Sequence, residues 1–204
     1  MCIRDSTDTV NFTSVSEAMS PRALMDWLNR GMEVCVPAVT KRGGMVNKFT
    51  GDGMLAVFGV PLEQDSKAEA QAAIEAAMEI KAGLELLNKD LLQDQEPKMR
   101  IRMGIHSGEA LVGSMGSAER IEYAVIGDSV NCASRLESFD KQRHEGLLRV
   151  LLSSTTLDLL DPTFKSRLDL EYWGPVQVKG RKEPLEVSEL KMDNAPEAAE
   201  ATQR

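Results

Sequence analysis

The chain reads as an α+β protein, with helices packed on a ferredoxin-like antiparallel sheet. Three observations predict this. The elements run helix, hairpin, helix, hairpin, helix, strand, without the regular strand–helix alternation of a parallel fold. Two short strand-like runs, Met45–Thr50 and Met54–Phe58, flank Gly51-Asp52-Gly53, which reads as a tight hairpin turn. The 204 residues are 42% hydrophobic and 27% charged, enough to bury one core, and they contain no internal repeat.

Ser20-Pro21 opens the first helix, Ser as N-cap and Pro at the first helical position. Leu24, Leu28, Met32, Cys35 and Val39 then recur at helical spacing. Pro37 falls inside this run, removes a backbone donor and is expected to kink the helix unless packing compensates. Gly43-Gly44 supplies the stop. Beyond the hairpin, an Ala- and Glu-rich helix is predicted over Lys67–Leu92, with Ile74, Ala77, Leu84, Leu87 and Leu91 on one side. Met99–Ile105 and Ala110–Val112 read as strands around a His-Ser-Gly-Glu turn, and Ser114–Arg120, small and polar, as an arm or loop. Ile121–Ile126 reads as a strand, and Asp128 as the cap of a helix to Phe139. Leu147–Leu152 reads as a strand, Thr155–Leu160 as a short helix, and Val176–Lys179 and Leu185–Leu190 as strands that finish a domain spanning residues 1–192. The tail, 193–204, has no aliphatic anchor and is expected to be disordered.

Composition narrows the function. There are 24 Lys and Arg against 32 Asp and Glu, a net charge of -8, and aromatic residues make up 4%. That balance argues against a nucleic-acid binder, which needs clustered cations and base-stacking rings. Much of the acidity lies on the long helix and the tail, away from the candidate chemistry. No stretch reaches the roughly 20 apolar residues of a membrane span, so no membrane contact is expected from this chain. The first residues have no apolar core of signal-peptide length. Cys2, Cys35 and Cys132 are odd in number and widely spaced, as expected of reduced thiols in a cytoplasmic protein.

Several polar residues could carry chemistry. Asp52 lies between two glycines that permit close backbone approach and positive φ; taken alone, Gly-Asp-Gly is more often only a turn. Asp8, near the terminus, is by itself an ordinary loop carboxylate. Together, two carboxylates on adjacent strands could hold hard cations that also bind phosphate oxygens. Asn131 and Arg135 stand four apart on one helix face, where Arg offers a fork for phosphate and Asn can orient a hydroxyl; an ordinary solvated face is the alternative. Lys48 shares a strand face with Asp52 by even spacing, and Lys179 adjoins Gly180; each is more often a surface lysine.

In combination these segments resemble the class III nucleotidyl cyclase catalytic domain, from Asp8 to Leu190. Four stretches carry the likeness: Asp8–Glu17, which ends a first strand; Asn47–Gly59, the metal-binding hairpin; Arg102–Glu109, a sheet strand; and Glu122–Glu137, the strand and helix with the substrate residues. Their order and spacing are far more specific than any one of them. The resemblance implies the nucleotide cyclase fold and conversion of a nucleoside triphosphate to a 3′,5′-cyclic monophosphate and pyrophosphate. It implies that Asp8 and Asp52 hold two divalent cations, Mg2+ or Mn2+. It gives Arg135 the charge at the α-phosphate, Asn131 the ribose and Lys179 the terminal phosphates. No side chain stands out as a general base.

Lys48 matches the position where adenylate cyclases of the family carry Lys and guanylate cyclases usually carry Glu. Lysine can donate to adenine N1, so ATP is favoured. The partner position is Ala124, where many adenylate cyclases have Asp or Thr, so that half of the purine readout is missing or supplied by backbone. A guanylate cyclase and a non-catalytic cyclase-like module are the alternatives. In the family the aspartates of one chain face the substrate residues of another. This chain has both sets, so a head-to-tail homodimer with two shared sites is expected, with Ser114–Arg120 as its arm.

One departure stands out. Met1–Thr7 is short and polar for the apolar central strand that leads into Asp8. The first strand is therefore expected to be truncated, the chain a fragment or its first residues not native, with Asp8 on a frayed end. An upstream sensor domain and a membrane-anchored parent protein fit that expectation.

Overall fold

A seven-stranded sheet organises the chain, which a computed structural model describes over residues 2–60, 65–144, 146–179, 181 and 183–192. Its strands are β1 (Cys2–Thr9), β2 (Met45–Phe49), β3 (Met54–Phe58), β4 (Ile101–Gly108), β7 (Leu148–Ser153), β8 (Asp169–Val176) and β9 (Leu185–Lys191), in the order β2-β3-β1-β4-β7-β9-β8. Every pairing is antiparallel except β4 with β7. A separate ribbon joins β5 (Leu111–Gly116) to β6 (Ile121–Ile126). The helices are α1 (Phe12–Ala18), α2 (Pro21–Thr40), α3 (Ser66–Gln93), α4 (Asp128–Ser138), α5 (Ser154–Leu157) and α6 (Pro162–Lys165). The expected α+β layering is present. The tail at 193–204 lies outside the described residues.

The two-residue period of the strands sorts side chains between two faces. Ile101, Met103 and Ile105 of β4 and Leu148, Val150 and Leu152 of β7 enter the main core with α2 and α3. Leu151, between them, enters a second cluster with Cys132 and Leu136 of α4 and Val176, Val178, Leu185 and Val187. Helix α4 therefore covers the opposite face. It lies so close that a Cβ on Gly104 would fall 2.2 Å from the Ala133 carbonyl oxygen, which only glycine avoids.

Local signals were accurate where the chemistry is local. Ser20 caps α2, its hydroxyl accepting from the Ala23 N–H at 3.3 Å. Helix α2 runs through Pro37, because Cys35, Ala38 and Val39 around it are buried in the core. Other expectations need correction. Ser114–Arg120 is no free loop: its first three residues extend β5, and Ser117–Arg120 closes the turn to β6. Gly127, not Asp128, occupies the N-cap of α4, with Asp128 in the first turn. The strand expected over Val176–Lys179 is β8, which ends at Val176. Helices α1 and α6 had no sequence reading because each has fewer than two full turns.

The short polar opening segment does form a central strand. β1 pairs with β3 on one edge and with β4 along all eight residues on the other. Backbone hydrogen bonds to two preformed edges do not depend on side-chain polarity. The polarity has a consequence at Asp5. Its carboxylate is fully buried on the α2–α3 face, and neither oxygen has a hydrogen-bond partner among the described residues. Burial pushes its pKa up to about 8, and burial with the Asp5 charge nearby pushes the Cys35 thiol up to about 12.

An acid whose folded pKa is raised weakens the fold as pH climbs from the unfolded value to the folded one. Below about pH 4 Asp5 is protonated in both states; between there and about pH 8 only the unfolded state gives up the proton. Asp5→Val should stabilise the protein, and its advantage over the wild type should widen by about 3–4 kcal/mol between pH 5 and pH 8. Urea unfolding of both proteins at the two pH values measures it; a constant difference would show that Asp5 is not buried as an acid.

Candidate active site

Asp8 is the last even-numbered residue of β1 and points to the α4 face. Its cross-strand partner on β4 is Arg102, which in turn pairs with Arg149 on β7. Alternation thus places a row of charged side chains under α4. Arg102 Nη2 donates to Asp8 Oδ2, and Arg102 Nε donates to Glu137 Oε1 at 3.1 Å. The Lys141 ammonium lies 3.5 Å from the same Asp8 oxygen.

Asp52 arrives from the β2–β3 turn. Gly51 adopts φ 80°, and a Cβ on Gly53 would lie 1.9 Å from the Thr7 carbonyl oxygen, so the glycines supply the left-handed turn and the close approach respectively. Thr9 then ties the turn to β1: its N–H donates to Asp52 Oδ2 at 3.2 Å and its hydroxyl to the Asp52 carbonyl at 2.7 Å. Asp8 is therefore held on both sides rather than frayed.

These carboxylates line one cavity of about 560 Å³ with Thr9–Thr13, Arg100, Arg102, Lys141, Gln142 and His144. Partial burial, then the charge of Asp8, raises the Asp52 carboxyl. Burial also acts to raise Asp8, but the bond from Arg102, the contact with Asp52 and the charges of Arg102 and Lys141 outweigh it, and its pKa falls. Burial and the Asp8 charge lift Glu137 to about 7. His144 is pushed down to about 4 by burial and by Arg100, Arg149 and Arg102, so that wall of the cavity is electropositive.

Among the described residues no three His, Cys, Asp or Glu side chains converge as a metal cage. Two hard carboxylates in contact, facing an open polar cavity, nevertheless suit magnesium, which takes one or two protein carboxylates and completes its shell with phosphate and water. Asp8 and Asp52 fit that donor set.

The remaining candidates lie elsewhere. Lys48, Ala124, Asn131, Arg135 and Lys179 do not line this cavity. They lie on β2, β6, α4 and the segment after β8, and two contacts relate them in pairs. Asn47 Nδ2 donates to the Tyr123 carbonyl at 2.8 Å, bringing Lys48 on β2 beside Ala124 on β6. Arg181 reaches Asp128 at 3.3 Å, tying the segment of Lys179 to the start of α4. Lys48, Asn131 and Lys179 are exposed, and Arg135 is half-buried with one guanidinium nitrogen, Nη1, lacking a hydrogen-bond partner among the described residues. The β5–β6 ribbon exposes Leu111, Ile121 and Ile126.

Arg102, Glu137 and Lys141 were not singled out from sequence as site residues. Arg102 needed the β1–β4 register to reveal its partner. Glu137 did leave a signal, an acid on the buried side of α4 beside Ala133 and Leu136.

Residues 6–190 match the model of the adenylate and guanylate cyclase catalytic domain. Adenylate cyclase 1 of Rhizobium meliloti (strain 1021) is 32% identical over 184 residues, 90% of this chain and 26% of the relative. Adenylate cyclase of Anabaena cylindrica is 31% identical over 189 residues, 90% of this chain and 35% of the relative. The chain thus spans about a quarter to a third of the length of these relatives. The adenylyl cyclase CyaB from P. aeruginosa superposes with a TM-score of 0.84 at 30% identity, covering 95% of each chain. The guanylyl cyclase Cya2 superposes with a TM-score of 0.80 at 28% identity, covering 97% of this chain and 94% of the other. With a family match across nearly its whole described length, over the same strands and helix that build the carboxylate cavity, the chain belongs to the adenylate and guanylate cyclase catalytic domains.

Proposed function

We propose that the chain is an adenylate cyclase catalytic domain that converts ATP to 3′,5′-cyclic AMP and pyrophosphate and works as a homodimer with shared sites. The observation that carries this reading is the division of its polar residues. Asp8, Asp52 and Arg102 converge on one cavity, while Lys48, Asn131, Arg135 and Lys179 lie outside it. A head-to-tail pair would bring one set against the other twice.

Two divalent cations bound at Asp8 and Asp52 would neutralise the triphosphate and ease deprotonation of the ribose 3′-hydroxyl. The chain's own groups do the rest. Arg102, bonded to Asp8 and Glu137, holds Asp8 in place for cation binding. Across the dimer, Asn131 orients the ribose, and Arg135 brings its unsatisfied N–H to the α-phosphate as charge builds there and pyrophosphate leaves. Lys179 takes the terminal phosphates. Lys48 donates to adenine N1, and at Ala124 only the backbone can meet the exocyclic amine. The names of the curated relatives point the same way. No helix among the described residues is long and apolar enough to cross a membrane.

Purified protein incubated with ATP or GTP and magnesium or manganese should yield cyclic AMP faster than cyclic GMP. Faster turnover of GTP would move the assignment to a guanylate cyclase, and no turnover of either would leave a non-catalytic module. Asp52→Ala should abolish the product. Arg135→Ala should lower kcat by about 10²–10³ with little change in KM, since its contact is made mainly in the transition state. Mixing the Asp52→Ala and Arg135→Ala proteins in equal amounts should restore on the order of a quarter of wild-type activity, because half the dimers then hold one intact site. An inactive mixture that still forms dimers would count against shared sites.

A further inference from the structure

The cavity wall opposite Asp52 is built with an effort that the groups assigned so far do not explain. Arg149 is fully buried, and its guanidinium donates to four backbone carbonyls: Asp140 at 2.6 Å, Arg143 at 2.7 Å, Glu137 at 2.9 Å and Phe139 at 2.6 Å. Arg100 adds bonds to His144 at 2.9 Å and Gly146 at 3.0 Å. Two arginines thus pin the carbonyls where α4 ends and its connection to β7 begins. Those of Glu137 and Phe139 belong to the negative end of α4, and bare carbonyl oxygens here would repel an anion. Lys141, Gln142 and His144 of this segment line the cavity, and Lys141 is the cation among them.

Lys141 is also the least committed cation there. Arg102 is gripped by two carboxylates and its side chain is only 5% exposed. Arg100 spends its N–H groups on carbonyls. Lys141 is 55% exposed, and its one ionic contact among the described residues, Asp8 Oδ2 at 3.5 Å, is longer than a hydrogen bond. A flexible four-carbon stem with three donors on a fixed base can move a few ångström without disturbing the fold.

Resting on the cyclase reading above, we propose that Lys141 is a phosphate ligand of this site, contributed by the same chain as Asp8 and Asp52, which leaves Asp8 and takes a terminal phosphate oxygen when the nucleotide binds. The exchange is a change of ionic partner, with no covalent step. It lets the ammonium offset Asp8 before substrate arrives and hold the pyrophosphate moiety afterwards. Lys141 would then meet from one side the terminal phosphates that Lys179 of the partner chain meets from the other.

The test compares wild type with Lys141→Ala, Lys141→Gln and Lys141→Arg, with magnesium throughout. Calorimetry reads the binding of inorganic pyrophosphate, of an ATP analogue lacking the 3′-hydroxyl, and of magnesium alone; kinetics read KM and kcat. Both neutral variants should weaken pyrophosphate and analogue binding and raise KM by about ten-fold, with kcat changed much less, and Lys141→Arg should recover most of the loss. Unaltered melting temperatures would exclude a loss through unfolding; were Lys141→Ala to melt early, Lys141→Gln and the Arg rescue decide. Unchanged pyrophosphate affinity in both neutral variants, with magnesium bound more tightly, would make Lys141 only a counter-charge to Asp8 and overturn the proposal. Should wild type cyclise no nucleotide, the cyclase reading falls on its own, while pyrophosphate binding still decides for or against Lys141.

Discussion

Arg102 lies between two carboxylates from two other elements, Asp8 on β1 and Glu137 on α4, and much of the molecule is arranged around that contact. Arg102 and Glu137 are almost fully removed from solvent, at 5% and 7% side-chain exposure. Desolvating such a pair costs several kcal/mol per ion, which its attraction only roughly offsets, so apolar packing would serve stability equally well. Losing one partner is a different matter, since the stranded charge costs about 3–5 kcal/mol. The row therefore acts as a positional constraint more than a source of stability. It fixes α4 across Gly104, and with it the direction in which Asn131 and Arg135 leave the opposite side of that helix.

The same constraint explains what could be read from the sequence. The β2–β3 hairpin, the Ser20 cap, the long α3 and the helix carrying Asn131 and Arg135 are each specified within a few residues, by turn chemistry, capping or a 3.6-residue period. The pairing of Asp8 with Arg102 spans 94 positions and depends on strand register, for which a single sequence carries no direct signal. β1 was obscured for a related reason. Its pairing comes from the edges of β3 and β4, while its own side chains, Asp5 above all, oppose burial. Of the ribbon, only the end of β5 escapes the sequence, because Ser114 and Gly116 look like loop residues, although their backbone pairs with Tyr123 and Ile121. Of the candidate site, the two aspartates and the face of α4 were legible as residue types at suggestive spacing. The cations that share Asp8 were not.

The distribution of unsatisfied groups bears on why a single chain would be insufficient in the proposed reading. Within the cavity nearly every charge is answered: Asp8 by Arg102 and Lys141, Asp52 by Thr9, Arg102 by Glu137. Outside the cavity, Arg135 Nη1 has no hydrogen-bond partner among the described residues, only Asp128 Oδ1 at 4.0 Å, and Lys48 and Lys179 are exposed. A bound triphosphate would supply acceptors to both sets, but in one chain the second set lies outside the cavity that holds the first. Leu111 and its cross-strand partner Ile126, at 74% and 49% exposure, form with Met115 at 53% an exposed apolar stripe on one face of the β5–β6 ribbon. Such a stripe costs solubility in a monomer and is offset when a second copy covers it. Association would then do two things through one contact. It would bury the ribbon, and it would carry the unpaired donor of Arg135 to the phosphates held at Asp8 and Asp52, so that catalytic competence follows the monomer–dimer equilibrium.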